Sequence, residues 1–202
     1  MARQGEHGIT WTDETWNPVR GCEMIHIGID PGKSGAIASI DEDTMEIDIQ
    51  PMPVIKATKS RTEYDLLEIR NILELARSHG YLFVTAEKLQ PLPPKLGGGI
   101  ITNFQRGYGL ALLEGMLTGM GIPYQLVLPR AWQKVMLAGT SGKDTKQKSI
   151  IAAQRLFPGQ SLKRTEKCRK PDSGYSDALL LAAFGMRVHG IVRDALVADH
   201  QV

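Results

Sequence analysis

The sequence predicts an α/β protein built on a mixed five-stranded sheet with helices on both faces. Three observations carry that prediction. Residues 25–49 hold three short strand patterns joined by tight turns. Beyond them, helical and strand periodicities alternate down the chain. The length, 202 residues at 42% hydrophobic and 23% charged, suits one compact domain of about 100–200 residues.

Each element has its own signal. Residues 25–30 (IHIGID) alternate apolar with small or polar residues, as a half-buried strand does. The run PGKSG turns the chain, and residues 36–40 and 45–49 form two further strands across an acidic turn at 41–44. Pro51 and Pro53 end this antiparallel meander. Residues 62–78 read as an amphipathic helix, with Leu66, Ile69, Leu73 and Ala76 at the 3.6-residue period and Gly80 stopping it. Residues 81–86 (YLFVTA) have the apolar, β-rich character of a strand covered on both faces. The proline- and glycine-rich run QPLPPKLGGG is a loop. A second helix spans 102–120, studded with Gly107, Gly109, Gly115 and Gly119, and residues 124–127 (YQLV) supply another strand. Asp144 stands three residues before Gln147, the capping-box spacing, ahead of a third helix through 150–156. A last helix, from about 174 to 187, is apolar nearly all round and therefore buried. Three meandering strands followed by alternating helices and strands make the RNase H-like pattern.

Composition excludes wholesale disorder, collagen and coiled coil. The uncharged apolar stretch at 178–186 is too short to span a bilayer. The N-terminus carries Glu6, Asp13 and Glu14 without an apolar core, which is not a secretory signal. Cys22 and Cys168 make neither a zinc spacing nor a disulfide framework, so a reducing cytoplasm is expected. Residues 1–23 stand apart from the periodic pattern as an N-terminal extension. The core domain is expected over 24–190, with a C-terminal tail at 191–202.

Charge is unevenly distributed. Residues 130–170 hold eleven Lys and Arg against only Asp144 and Glu166, a net +9. The whole chain carries +2, so the remainder carries −7. A basic stretch beside an acidic body points to a polyanionic partner, nucleic acid first, although a solvated lysine-rich face has the same composition.

The acids supply the chemistry. Asp30 and Glu87 each stand at the carboxyl end of a predicted strand, the edge where open α/β sheets bind ligands. Asp177 lies near the start of the last helix, preceded by Asp172. Carboxylates converging on one edge require compensating cations. Hard divalent ions such as Mg²⁺ take oxygen ligands, and two of them can act together on a phosphodiester. Singly, each acid also has a local explanation: turn initiator, solvated strand end or helix cap. Asp172 is equally readable as a fourth metal ligand or as a cap. Gly32-Lys33-Ser34 ends like a phosphate-binding loop, but the glycine required five residues earlier is Ile27. The five histidines are scattered and form no helical metal-binding pair.

Six ordered blocks carry a family resemblance: IGIDPGKSGAIA (27–38), TAEKLQ (85–90), FQRGYGL (104–110), GIPYQLVLPRAWQKVM (121–136), GKDTKQKSIIAAQRLFPG (142–159) and DSGYSDALLLAAFG (172–185). Together they resemble the RuvC-like Holliday-junction resolvases, in particular the phage-encoded branch. The resemblance implies a homodimeric, Mg²⁺- or Mn²⁺-dependent endonuclease that nicks four-way DNA junctions and leaves 5′-phosphates. It assigns Asp30, Glu87 and Asp177 as catalytic metal ligands, with Asp172 the nearest candidate for a fourth. It also makes Lys33, Lys143, Lys146 and Lys148 candidate DNA contacts. The chain departs from the bacterial pattern twice. Gly174 occupies the position of the fourth acid, and Lys88-Leu89-Gln90 replaces an aromatic wedge after the glutamate. Separately, residues 9–22 (ITWTDETWNPVRGC) resemble the opening of an unrelated, radical-SAM-like phage-associated family. That segment reads as a fused or mis-started remnant, with Met24 as the native start, or as an arm contacting DNA or a partner subunit. Two other functions stay open at this stage: a broader RNase H-like nuclease acting on hybrids or flaps, and a non-catalytic junction-binding protein. An ATP-binding relative of the same fold needs two such domains, more than 202 residues provide.

Overall fold

The computed structural model describes residues 24–58 and 62–199; the expectations for residues 1–23 lie outside them. Five strands form the main sheet: β1 (Met24–Asp30), β2 (Ala36–Asp41), β3 (Ile47–Pro51), β6 (Tyr81–Glu87) and β7 (Tyr124–Val127). Between β3 and β6 lie a small hairpin of β4 (Val54–Lys56) and β5 (Thr62–Tyr64) and the first helix, α1 (Leu66–Arg77). The strand order is β3-β2-β1-β6-β7. The first three strands are antiparallel, and β6 and β7 add in parallel on the other side of β1. This is the mixed α/β, RNase H-like sheet expected from the order of the sequence patterns.

Alternation along the strands builds two cores. Ile25, Ile27 and Ile29 of β1, with Leu82, Val84 and Ala86 of β6, face α1 and α2 (Ile100–Gly119). Ile69, Leu73, Leu113 and Leu117 from those helices close that layer. Ala36, Ala38 and Ile40 of β2 face the opposite way, toward α3 (Pro129–Met136), α4 (Thr145–Leu156) and α5 (Ser173–Asp199). The even-numbered residues of β1 share that second face. A β-carbon at Gly28 would lie 1.9 Å from the Ala178 carbonyl oxygen, so α5 crosses the sheet closely enough to require glycine there.

Several boundaries depart from the sequence expectation for identifiable reasons. The 62–78 helix begins at Leu66, because residues 62–64 pair with β4 and Asp65 caps the helix through Glu68 N–H at 3.1 Å. The third strand starts at Ile47, because Met45 sits in the turn with φ of +58°. The loop after β6 contains a short 3₁₀ turn at Pro94–Leu96, and α2 starts at Ile100. The last helix starts at Ser173 and continues past Arg187 to Asp199. Helix α3 was not expected, although Pro129 at its first turn and the i, i+4 pair Trp132/Met136 are legible signals. Among the described residues no helix is long and apolar enough to cross a membrane.

Candidate active site

Register sets the first two acids side by side. In the parallel β1/β6 pair, Ile29 is opposite Ala86, so Asp30 and Glu87 are the next residues at the same level. Both fall on the α5 face by the period of two. Asp177 lies one turn into α5, the helix that covers this face; among the described residues the three acids do not bring one ligand atom each within 4.8 Å of the others. The three influence one another electrostatically: Asp30 and Glu87 both bear on Asp177, and Asp30 bears on Glu87.

Burial, with repulsion from neighbouring carboxylates, shifts all three upward. Asp177 is pushed from 3.8 to about 7, chiefly by burial and then by Asp30 and Glu87, against the opposing Ser149 hydroxyl and Lys146. Glu87 is raised by burial and by Asp30, while the Trp132 indole opposes. Asp30 is raised by burial and by Asp172, opposed first by the Gly32 amide and then by Arg164 and Arg106.

Three neighbours hold the carboxylates in place. Trp132 Nε1 donates to Glu87 Oε2 at 2.9 Å. Ser149, fully buried on α4, donates its hydroxyl to Asp177 Oδ1. The Gly32 amide donates to Asp30 Oδ1 at 3.3 Å. Hydrogen bonds to charged groups contribute about 1.5–3 kcal/mol each, enough to select one rotamer. These contacts join residues 28 and 45 positions apart, and no spacing in the sequence announces them.

Asp172 bears on Asp30 electrostatically, but its own partners are a basic side chain and helix amides. Its carboxylate receives Arg164 Nε at 2.7 Å and Nη2 at 3.2 Å. It also accepts the Gly174 and Tyr175 amides at 2.8 and 3.3 Å, capping α5. Against the cost of burial, these partners hold its carboxyl below the ordinary value. Arg164 Nη2 continues to the Ser34 and Gly35 carbonyls, tying the turn after β1 to the start of α5. Position 174 has no room for an acid: a β-carbon there would be 2.9 Å from Ser34 O and 3.1 Å from Gly35 Cα.

The basic residues divide. Lys146, exposed in the first turn of α4, bears on Asp177. Lys143 is exposed just before that helix, and Lys148 is half-buried within it. Asp144 caps α4 through the Gln147 amide at 2.8 Å, as its spacing predicts. The reciprocal bond runs from the Lys143 amide to Gln147 Oε1. Lys33 bonds the Thr62 carbonyl and lies 5.7 Å from the Tyr64 ring centroid, engaged with the β4–β5 hairpin. Arg106 on α2 acts on both Asp30 and Glu87. The sequence reading did not single out Arg106 or Arg164.

Holliday-junction resolvases are among the solved structures this chain resembles. Thermus thermophilus RuvC aligns at TM-score 0.48 and 19% identity, over 82% of this chain and 97% of that one. The same protein in complex with a Holliday junction substrate aligns at 0.46 and 16%, over 82% and 96%. The yeast mitochondrial Holliday junction resolvase Ydc2 aligns at 0.47 and 16%, over 80% and 77%. No protein-family model matches the chain, and no curated protein matches its sequence.

The donor set suits a hard divalent cation. Asp30, Glu87 and Asp177 offer only oxygen, and among the described residues none of them forms an ion pair with Lys or Arg. Negative charge concentrated in a desolvated edge, with Arg106 and Lys146 acting on it but not paired to it, is a condition that an oxygen-ligated Mg²⁺ relieves.

Proposed function

We propose that the chain is a divalent-metal-dependent, structure-specific endonuclease that hydrolyses phosphodiester bonds in branched DNA. Its substrate in this reading is the four-way junction, and its ion is Mg²⁺, with Mn²⁺ able to substitute. The observation that carries it is the register that sets Asp30 and Glu87 at the same level of β1 and β6, on the face covered by α5, the helix that carries Asp177. The choice of junction rests on the ordered sequence blocks, and the hydrolytic chemistry rests on the acids.

Bound Mg²⁺ would supply Lewis acidity, lowering the pKa of water and stabilising charge on the phosphate oxygens. The chain's own residues do the rest. Asp30, Glu87 and Asp177 hold the ion. Trp132 and Ser149 fix the orientation of Glu87 and Asp177. Lys146 and Arg106 attract and position the DNA backbone. In this reading Asp172 works through Arg164 as a brace for the edge, with its oxygens already committed.

A symmetric junction has two strands to nick, so the proposal includes a homodimer. The N-terminal half of α2 supports it by exposing Ile100, Ile101, Phe104 and Tyr108 in succession.

The test is cleavage of junction, flap, RNA–DNA hybrid and linear DNA with and without Mg²⁺. Junction nicking that needs Mg²⁺ is expected. Asp30→Asn and Glu87→Gln should each reduce it at least about 10³-fold, within the range that removal of a metal's action costs, with junction binding in Ca²⁺ retained. Full activity in either variant overturns the reading, and preferential cleavage of hybrids or flaps reassigns the substrate.

A further inference from the structure

Three residues far apart in the chain meet at the other end of the β1–α5 interface. His26 lies near the start of β1, fully buried, four residues before Asp30 on the same face. Glu42 follows β2 and is drawn beside β1 by its amide bond to the Met24 carbonyl at 2.9 Å. His189 lies on α5, twelve residues beyond Asp177 and so about 18 Å along the helix at 1.5 Å per residue. One ligand atom from each of the three lies within 4.8 Å of the others. His26 Nε2 and Glu42 Oε2 are 2.9 Å apart, and the two imidazole rings are centred 5.5 Å apart at 61°. The Phe83 ring packs on both histidines, at 6.4 and 5.7 Å between centroids.

We propose that His26, Glu42 and His189 form a second metal site, selective for a borderline transition ion of the Zn²⁺ class. Donor chemistry separates it from the acidic edge. Two imidazoles and one carboxylate suit Zn²⁺, whereas an all-carboxylate set suits Mg²⁺. Spacing is compatible as well. Ligands about 2.0–2.1 Å from a tetrahedral ion are roughly 3.3 Å apart, close to the 2.9 Å His26–Glu42 contact and inside the 4.8 Å within which all three ligand atoms fall. The His26–Glu42 contact becomes shared coordination, and any proton held between them leaves as the ion enters. The ring of Phe83 forms an apolar wall against water.

The consequence is structural. The three ligands come from β1, the turn after β2 and the second half of α5. A bound ion therefore staples the far half of α5 to the sheet, as a structural rather than reacting metal. The site is independent of the nuclease reading.

The experiment uses the full chain, stripped by chelator and held in excess Mg²⁺ to occupy the acidic edge. Co²⁺ and Zn²⁺ are then added alone. One equivalent of Co²⁺ should bind with the visible absorption of a low-coordinate site, and Zn²⁺ should displace it. Zn²⁺ should raise Tm by about 5 °C at saturation. His189→Gln and Glu42→Gln should each weaken binding by at least tenfold and remove the Tm shift. Asp30→Asn should leave both unchanged. His189→Gln and Glu42→Gln leave the fully buried sheet position His26 intact, and folding is checked by the metal-free Tm. Absence of binding to the folded chain, binding unaffected by both variants, or binding lost in Asp30→Asn overturns the proposal.

Discussion

Asp177 shows what single-residue electrostatics do here. Its folded pKa of about 7 lies above the ordinary 3.8, so the folded state holds the proton more tightly than the unfolded one. Its contribution to stability is full below about pH 4 and is lost as pH rises through about 7. Glu87 and Asp30 shift in the same direction and add to the effect. Metal-free protein should therefore lose Tm between about pH 4 and 8. Saturating Mg²⁺ should flatten the upper part of that curve, and Asp30→Asn should do so without metal; thermal melts across pH read both. Asp172 behaves oppositely, with its charge stabilised by Arg164 and two helix amides. Asp172→Asn keeps an acceptor for the cap but removes the ion pair, which is only partly buried. The expected outcome is a Tm lowered by a few degrees, with turnover at low Mg²⁺ within about threefold of the parent. A much larger loss of turnover with unchanged melting would make Asp172 a metal ligand.

At the scale of elements, α5 organises the site. It covers β1, β2 and β6, presents Asp177 at one end and His189 at the other, and receives Arg164 at its cap. The small helix α3 buries Trp132 and Met136 in the core, and the Trp132 indole donates from there to Glu87. Helix α2 divides along its length. Leu113 and Leu117 are buried against the sheet, whereas Ile101 and Phe104 are 74% and 70% exposed. Covering such side chains is favourable by roughly 25 cal/mol per Å², so this half of α2 is the surface on which a second copy is proposed to sit. Ile101→Asp combined with Phe104→Ser should shift the chain to monomer in sedimentation or light scattering while preserving Tm. A double variant that remains dimeric moves the interface elsewhere. The glycines at 107, 115 and 119 have open space around them, so the small-residue stripe of α2 is available to close approach, whereas Gly109 packs on Tyr64.

At the scale of the whole molecule, the +9 stretch spans α3, α4 and the loop leading to α5, the elements that carry Trp132, Ser149 and Arg164. The basic segment thus also supplies residues that hydrogen-bond Glu87, Asp177 and Asp172. DNA affinity should fall steeply with salt, with a slope of about −0.9 per phosphate neutralised. Reversing Lys146 and Lys148 to Glu should make that slope shallower by about one to two contacts in a titration of affinity against salt. A salt-insensitive complex would remove the basic stretch from the interface. The five main strands were legible in the sequence because each rests on a local regularity, such as the alternation in 25–30 or the apolar run in 81–86, and the proposed acids Asp30 and Glu87 stand out because each closes such a strand. Strand alternation also determined that Asp30 and Glu87 share a face once their strands are parallel neighbours. The β4–β5 hairpin and the start of α1 were less legible, because residues 62–66 satisfy both periods and only pairing with Val54–Lys56 decides between them. What holds the acids was not legible at all. Trp132, Ser149, Arg106 and Arg164 are ordinary residues in sequence, and His26 and His189 are separated by most of the domain. Side-chain contacts of this kind depend on where packing sets helices against the sheet, a sum over many weak interactions that no local spacing encodes. The sequence by itself determined which residues can bear charge and bind metal. Only the tertiary structure decided which of them meet, because register and helix placement bring them together across the sheet.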